Sequence, residues 1–293
     1  MTVLLRLLRV RQWTKNLVLF AGVVFAQEST HGAQLLRAAG GFVVFCLLAS
    51  AVYVLNDLAD LEQDRAHPQK RRRPIASGDV SLRAARILAP LLAAVGLAAA
   101  FALRAEFGVL AAVYLAVNLL YSWRLKSVVL VDVFLIAVGF VLRAVGGVEV
   151  LSPPAEISPW LLVCTFFLAL FLALAKRRHE RTLLMEEAPS HRATLGEYPQ
   201  ELLDQFIAIV TASTIIGYTI YTVSPMTVEK LGTARLVYTV PFVVYGVFRY
   251  LYLVFKKGRG GAPAEVLLTD GPLLLNVILW VATVVAILYV VPP

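Results

Sequence analysis

The chain has 293 residues, of which 59% are apolar and only 16% are charged, and its formal net charge is +8. Its mean hydropathy of +0.77 excludes an ordinary water-soluble domain of this length. Apolar runs recur along the whole sequence with helical spacing, not with the alternation of an outer-membrane barrel. The expected fold class is therefore all-α, a polytopic membrane helical bundle.

Nine apolar runs approach the length of a bilayer span. The first contains NLVLFAGVVFA; it is short and follows three arginines, as in a signal peptide. No small-residue cleavage site comes after it, so a retained helix is expected. We expect residues 1–293 to form a single integral-membrane catalytic domain. The predicted spans cover residues 12–28, 34–56, 84–103, 107–122, 128–148, 158–176, 204–224, 234–255 and 272–291.

The distribution of basic residues predicts the orientation. With nine spans, 21 of the 27 Lys and Arg residues lie on the same side of the membrane as the N-terminus. The positive-inside rule then places the N-terminus and the basic loops in the cytoplasm and the C-terminus outside an inner (plasma) membrane. This accounts for the net charge without nucleic acid. Most of the unusual polar residues also fall on this side, which predicts an active site open to the cytoplasm.

Carboxylates cluster where the second span ends, in VYVLNDLADLEQD at 52–64. If the helix continues, Asp57, Asp60 and Asp64 fall within about 60° of one another on one face. Carboxylates arranged in this way repel one another unless a cation lies among them, and oxygen ligands suit Mg²⁺. A solvated helix end is the alternative. The position of Asn56 and Asp57 at the membrane margin favours a functional role, because an unpaired charge such as that of Asp57 is costly there.

A basic run, KRRRPIASG at 70–78, follows the acids after a turn at His67 and Pro68. Arg offers a planar fork and Lys a point charge, so bases beside a metal-binding stripe suit a phosphate-rich ligand. An anchor to anionic headgroups is the alternative, and it accounts best for Arg72. His67 either fixes the loop or acts as an acid or base. The stretch as a whole predicts a Mg²⁺-assisted site for a diphosphate ester.

The pattern Asn-Asp-x-x-Asp-x-x-x-Asp, continued by His-Pro-x-Lys-Arg-x-Arg-Pro-Ile-Ala-Ser-Gly, resembles the first signature of the UbiA superfamily of intramembrane prenyltransferases. Members of that superfamily have nine helices and depend on Mg²⁺, in agreement with the number of apolar runs. Further stretches resemble the decaprenyl-phosphate phosphoribosyltransferase branch. They are RVRQWTKN at 9–16, YSWRLKSVVLVDV at 121–133, LALAKRRHE at 172–180 and GGAPAEVLLTD at 260–270.

The resemblance implies the substrates and the site residues. The donor would be phosphoribosyl pyrophosphate, and the acceptor would be a polyprenyl phosphate whose tail lies in the bilayer. Asp57, Asp60 and Asp64 would be catalytic and, with Asn56, would hold Mg²⁺. The residues that would bind substrate at matching positions are Lys15, Asn16, Asn56, Lys70, Arg71, Arg73, Tyr121, Lys126, Lys176, Arg177, Glu265 and Asp270.

Two of these residues, Glu265 and Asp270, stand where the family has its second acidic element. The element is shorter than the Asp-x-x-x-Asp signature of members that use a prenyl diphosphate, and Gly271 follows where an Arg is expected. Two interpretations are therefore possible: the element holds a second metal ion, or Glu265 is simply exposed to solvent.

Arg143 is an intramembrane charge in the fifth predicted span, about three turns after Asp132. Substrate binding is the functional interpretation for Arg143, and a structural role for both residues is the alternative. The segment 176–205 is long, charged and broken by Pro189 and Pro199. It is either a lid that excludes water or a plain connector.

In the favoured reaction a phosphate oxygen of the lipid attacks C1 of the ribose, and pyrophosphate leaves. The acceptor is already anionic, so positioning and leaving-group stabilisation carry catalysis. The alternative is a UbiA-type prenyltransferase that moves a prenyl group from prenyl diphosphate to an aromatic or other acceptor. Enzymes of that class normally carry a full second acidic signature between the sixth and seventh spans, and the corresponding loop of this sequence lacks it. A transporter of a phosphorylated solute or lipid is a third interpretation, but the expected repeats are not evident.

Overall fold

The computed structural model describes residues 2–25, 31–66, 68, 70–154, 156, 158–186 and 196–290, without the side chains of 183–186. All regular secondary structure in these ranges is helical. The α-helices are α1 (Val3–Leu7), α2 (Leu19–Phe25), α3 (Gly32–Ala59), α4 (Leu61–Ala66), α5 (Leu82–Leu103), α6 (Ala105–Trp123), α7 (Val131–Glu149), α8 (Pro159–Glu186), α9 (Gln200–Val223), α10 (Pro225–Leu231), α11 (Val240–Phe255), α12 (Pro263–Thr269) and α13 (Gly271–Val285). Short 3₁₀ segments cover Val10–Val18, Lys70–Arg72, Leu125–Ser127 and Arg235–Thr239, and a π-helical turn covers Ala286–Val290.

Eight helical segments among the described residues are long and apolar enough to cross a membrane. They correspond to the second to ninth predicted spans, which confirms the all-α membrane fold. The largest difference is at the end of α8, which continues to Glu186 beyond the predicted end at 176. Pairing of Glu180 with Lys176 and Arg177, one turn earlier, supports this extension of the helix.

The first predicted span, 12–28, is not one continuous α-helix in its described part. Residues Val10–Val18 form a 3₁₀ segment, and only Leu19–Phe25 is α-helical. Polar side chains in the 3₁₀ segment are held by α3; the indole of Trp13, for example, donates a 3.1 Å hydrogen bond to Ser50 Oγ. Tertiary hydrogen bonds therefore shape a stretch that hydropathy alone assigns to a plain helix.

The chain divides into two compact units. The first consists of Met1–Trp123 and Leu142–Ala155, and the second consists of Arg124–Val141 and Glu156–Pro293. Helix α7 contributes its first part to the second unit and its remainder to the first. A single catalytic domain over 1–293 stays a prediction.

Helix α3 is the most buried span of the first unit, because 61% of its 18-residue apolar stretch is buried in the protein. Its side chains Val44, Phe45 and Leu48 belong to a core that also includes residues of α2, α5 and α6. Helix α5, by contrast, exposes large apolar side chains such as Ile87 and Leu91. Exposed apolar faces of this kind are what a helix presents to lipid.

A glycine pair sets a close helix crossing in the first unit. A Cβ atom on Gly147 of α7 would lie 2.0 Å from the carbonyl oxygen of Leu19 in α2, and one on Gly22 would lie 2.5 Å from the carbonyl carbon of Gly147. Only glycine allows two helices to approach so closely. The crossing brings the 3₁₀ segment that precedes α2 next to Arg143, one turn before Gly147.

The core of the second unit is formed mainly by α8, α9 and α11. Phe171 of α8 packs edge-on against Tyr250 of α11, with ring centroids 5.5 Å apart. Leu203 and Ile207 of α9 and Tyr198, two residues before that helix begins, are buried in the same core.

Candidate active site

The acidic stretch lies at a helix break instead of continuing one helix. Helix α3 ends at Ala59, Asp60 lies beyond its end, and α4 begins at Leu61. The expectation of an unbroken helix through Asp64 is therefore wrong. The break leaves Asp57 and Asp64 buried, with 2% and 1% of each residue exposed, whereas Asp60 is half-buried.

Arg73 joins the two buried carboxylates. Its Nη1 atom lies 2.6 Å from Asp64 Oδ2 and 3.0 Å from Asp57 Oδ1. Arg9 donates a second, short hydrogen bond to the same Asp57 oxygen, and its guanidinium lies 4.9 Å from the ring centroid of Tyr53. Buried carboxylates need such partners, because an uncompensated buried charge is strongly destabilising.

Arg9 was not among the predicted site residues. It lies in the RVRQWTKN stretch and adopts a left-handed backbone conformation with φ of +51°. Its contact with Asp57 joins positions 48 residues apart, which local sequence pattern does not reveal. The signal available in the sequence was the resemblance of that stretch to the phosphoribosyltransferase branch.

The acidic stretch contains oxygen atoms that could serve as ligands of a divalent cation. The side-chain oxygen of Asn56 is buried and accepts no hydrogen bond from any residue that the structure describes. Amide and carboxylate oxygens are the ligands that Mg²⁺ uses in proteins. Among the described residues, no group of three or more His, Cys, Asp or Glu is arranged as a metal site. Arg73 lies between Asp57 and Asp64 instead.

The basic run forms a compact loop after α4. Ile75 is buried with 1% exposure and anchors the loop in the core, and Gly78 turns it with φ of +84°. Arg73 is half-buried and directed to the acids, whereas Lys70 and Arg71 are exposed. The loop thus offers exposed bases next to the Arg73–carboxylate cluster. His67 lies outside the described residues.

The first unit also brings together the predicted residues Arg143 and Asn16. Arg143 Nε donates to Asn16 Oδ1 at 2.7 Å, and its Nη2 donates to the hydroxyl of Tyr114 at 2.6 Å. The guanidinium also lies 4.7 Å from the Tyr114 ring centroid. Asn16 in turn donates to Cys46 Sγ at 3.2 Å. These side chains form a buried polar cluster inside an apolar core.

The remaining predicted residues of the first unit are Lys15 and Tyr121, and both are half-buried. Lys15 lies in the 3₁₀ segment before α2, and Tyr121 lies in the last turn of α6. A direct substrate contact by either residue stays a prediction.

In the second unit, Arg177 is a buried structural partner. Its Nε bonds Asp132 Oδ2 at 2.8 Å and its Nη1 bonds Glu180 Oε2 at 2.5 Å, with 1% of the side chain exposed. Lys176 is more exposed, and its Nζ lies 3.7 Å from the same Glu180 carboxylate. Lys126 is half-buried in the Leu125–Ser127 turn. Residues 187–195, in the middle of the segment predicted to be either a lid or a connector, lie outside the described residues.

The two acids of the shortened second element differ. Asp270 accepts the Leu273 amide hydrogen at 3.0 Å as the N-cap of α13, and it binds Arg249 through two hydrogen bonds of 3.0 and 2.8 Å. The bond from the Arg249 guanidinium holds the pKa of Asp270 below its ordinary value. Glu265 is exposed in the first turn of α12. Asp270 is therefore held by contacts within the protein and Glu265 is exposed, while binding of substrate or of a second metal by either residue stays a prediction.

A protein-family model described as the UbiA prenyltransferase family matches residues 17–268. The chain belongs to this family. It is similar to decaprenyl-phosphate phosphoribosyltransferases of Mycolicibacterium smegmatis and Corynebacterium glutamicum. Each is 33% identical; the matches cover 98% and 99% of this chain and 92% and 87% of the respective relative. This UbiA-family protein is thus a membrane-embedded transferase, as the motifs predicted.

Solved structures agree with the UbiA assignment at the level of the fold. The chain is similar to a UbiA homologue from Archaeoglobus fulgidus solved with GPP and Mg²⁺, with a TM-score of 0.74 and 21% identity over 99% of this chain and 100% of that one. A digeranylgeranylglyceryl phosphate synthase structure gives a TM-score of 0.68 at 17% identity, over 98% of each chain. The Mg²⁺ in the first of these structures is consistent with use of a divalent metal in the family.

Proposed function

We propose that this UbiA-family enzyme transfers a 5-phosphoribosyl group from phosphoribosyl pyrophosphate to a polyprenyl phosphate of the decaprenyl type. The observation that carries the proposal is the buried Asp57–Arg73–Asp64 cluster beside exposed bases. Such a combination suits a metal-complexed diphosphate. The near full-length similarity to relatives named decaprenyl-phosphate phosphoribosyltransferase favours phosphoribosyl transfer over other reactions of the family.

The first unit contains both kinds of charge that such a donor needs, carboxylates for a metal ion and basic side chains for phosphate. Asn56, Asp57, Asp60 and Asp64 would hold Mg²⁺, which when bound neutralises charge on a leaving pyrophosphate. The buried side-chain oxygen of Asn56, to which none of the described residues donates a hydrogen bond, supports this assignment. The exposed Lys70 and Arg71 would bind phosphate oxygens directly. The guanidinium of Arg73 would add a third positive charge, as its predicted role in binding phosphate requires.

Arg9 and Arg73 would also position the carboxylates. Their hydrogen bonds fix the orientation of Asp57, and Arg73 fixes Asp64 as well. Preorganised charge of this kind stabilises a transition state without costly rearrangement. Lys126 and Lys176 belong to the second unit, and their binding of substrate phosphate stays a prediction.

The chemistry is a single displacement at C1 of the ribose. A phosphate oxygen of the lipid forms the new C–O bond, the C–O bond to pyrophosphate breaks, and the bonding pair leaves with pyrophosphate. The attacking oxygen already carries negative charge, so no side chain has to remove a proton. The enzyme contributes positioning and stabilisation of the leaving group.

The lipid acceptor fits an integral membrane enzyme. Its phosphate would lie at the membrane surface while its isoprenoid tail remained among the apolar helices. The excess of Lys and Arg in alternate loops supports a site at the cytoplasmic face of the inner membrane, with the N-terminus inside and the C-terminus outside.

The proposal is tested by a transfer assay on purified protein in detergent with Mg²⁺. One reaction offers polyprenyl phosphate with phosphoribosyl pyrophosphate labelled in the ribose. A parallel reaction offers labelled prenyl diphosphate with aromatic acceptors. Movement of ribose label into the organic phase in the first reaction, and its loss with EDTA, is the expected result.

The second reaction tests the alternative of a prenyltransferase. The UbiA homologue from A. fulgidus that shares this fold was solved with GPP, a prenyl diphosphate, which is why this alternative is tested beside the proposal. Prenyl transfer in the second reaction without phosphoribosyl transfer in the first would refute the proposal. It would mean that the diphosphate bound by the acidic stretch belongs to the lipid.

A further inference from the structure

The loop that carries Lys126 is tied to the start of α9 by a buried tyrosine. The hydroxyl of Tyr198 accepts a hydrogen bond from the backbone amide of Leu130 at 2.6 Å and donates one to Asp132 Oδ1 at 2.8 Å. Tyr198 has no exposed surface, and neither has Asp132. All of these residues belong to the second unit.

The same carboxylate continues the network to α8. Asp132 Oδ2 accepts from Arg177 Nε at 2.8 Å, and Arg177 binds Glu180. The polar side chains of this network, Tyr198, Asp132 and Arg177, thus all have hydrogen-bond partners, which makes the arrangement rigid. Burial raises the pKa of Tyr198 to about 12, so its hydroxyl keeps its proton at neutral pH and remains able to donate.

Leu130 needs this support because of its backbone conformation. Its φ is +66°, a left-handed value that non-glycine residues rarely adopt. Its side chain is 41% exposed, so little packing holds it in place. The hydrogen bond from its amide to Tyr198 therefore stabilises the strained turn between Lys126 and α7.

We infer that Tyr198 is a positioning residue: through Leu130 and the Asp132–Arg177 pair, it holds the 124–130 loop so that Lys126 can bind the phosphate-bearing donor. The inference rests on the proposed function for the role of Lys126, but not for the positioning itself. Arg177, predicted to contact substrate, acts within this network.

Amide hydrogen exchange of the full-length protein in detergent tests the positioning without any substrate. Tyr198→Phe keeps the ring in the core and removes only the hydroxyl. We expect exchange in peptides covering 124–131 to rise about tenfold, as befits the loss of one buried hydrogen bond. The matched control is Tyr250→Phe, since the buried Tyr250 hydroxyl has no hydrogen-bond partner within the described part of the chain. Unchanged exchange in Tyr198→Phe, or an equal rise in the control, would overturn the inference.

Steady-state kinetics then test the consequence for the donor. In Tyr198→Phe the KM for phosphoribosyl pyrophosphate should rise several-fold, about tenfold at most, while the KM for the lipid phosphate stays at its wild-type value. An equal rise in both constants would indicate a general structural defect and would refute the positioning role.

Leu130→Gly provides a rescue. Glycine adopts positive φ without strain, so the single variant should keep the wild-type donor KM. In the Tyr198→Phe/Leu130→Gly double variant, most of the rise in donor KM caused by Tyr198→Phe should disappear. A double variant with the KM of Tyr198→Phe would contradict the route through Leu130. If wild-type protein transfers no phosphoribosyl group, the proposed function fails, while the exchange comparison still decides whether Tyr198 positions the loop.

Discussion

The Nε atom of Arg143 donates a 2.7 Å hydrogen bond to Oδ1 of Asn16, although the two residues are 127 positions apart in the sequence. The contact lies in the first unit, where α7 crosses α2 at a glycine pair. It places a guanidinium with 6% exposure among neutral acceptors inside an apolar core. The oxygen atoms of Asn16 and Tyr114 help to stabilise this buried cation by accepting its hydrogen bonds.

Removal of either partner should destabilise the protein. Arg143→Met leaves Asn16 Oδ1 and the Tyr114 hydroxyl without their donor, so we expect the free energy of unfolding to fall by about 1–3 kcal/mol. The measurement is unfolding in detergent, with the exposed Arg86→Met as the control. In a double-mutant cycle with Asn16→Ala, a coupling energy of about 1 kcal/mol is expected. Additive losses would show that the two residues do not interact.

The buried carboxylates should be essential for turnover. Asp57→Asn and Asp64→Asn preserve shape and remove charge, and transfer activity should fall on the order of 100-fold or more. The matched control is Asp79→Asn, whose carboxylate pairs with Arg6 at a site where both side chains are 40% exposed. Equal activity in Asp57→Asn and the control would remove Asp57 from the site. Circular dichroism would check that all three variants are helical.

The helix crossing should not tolerate a methyl group. In Gly147→Ala the new Cβ would lie 2.0 Å from a backbone carbonyl oxygen, which cannot move aside as a flexible side chain can. We expect little folded protein in the membrane fraction, as measured by fluorescence-detected size exclusion. Gly40→Ala is the control, because its Cβ would meet Leu103 at an ordinary 3.5 Å inside helix α3. That variant should be neutral, or more stable by about 0.5–1 kcal/mol.

The Arg249–Asp270 pair should make stability depend on pH in the acid range. Because the folded-state pKa of Asp270 is lowered, its contribution is complete above the ordinary Asp value of about 3.9 and is lost as the pH falls through the folded-state value. Asp270→Asn keeps a capping oxygen but loses the charge, at a cost of about 0.5–1 kcal/mol at pH 7.

Melting curves in detergent at pH 7 and near pH 3 test this dependence. The difference in Tm between wild type and Asp270→Asn should shrink at the lower pH. Glu265→Gln, which alters an exposed carboxylate, should show no difference at either pH. A difference in Tm between wild type and Asp270→Asn that is the same at both pH values would contradict the prediction that the Arg249–Asp270 pair makes stability depend on pH.

The amino-acid sequence alone predicted the features that depend on neighbouring residues. Hydropathy identified the second to ninth spans, because a helix that crosses a bilayer must be apolar along its length. The order of acids and bases between 56 and 78 identified the family, because those residues form one local motif. Local spacing did not reveal that α3 ends before Asp60.

Tertiary structure decided which charged groups meet. Arg9 reaches Asp57 across 48 positions, and Tyr198 reaches Asp132 across 66. Arg177, to which the family resemblance assigns a substrate contact, is buried against Asp132. Hydropathy and spacing describe one segment at a time, whereas the partner of a buried charge depends on which distant helix packs beside it.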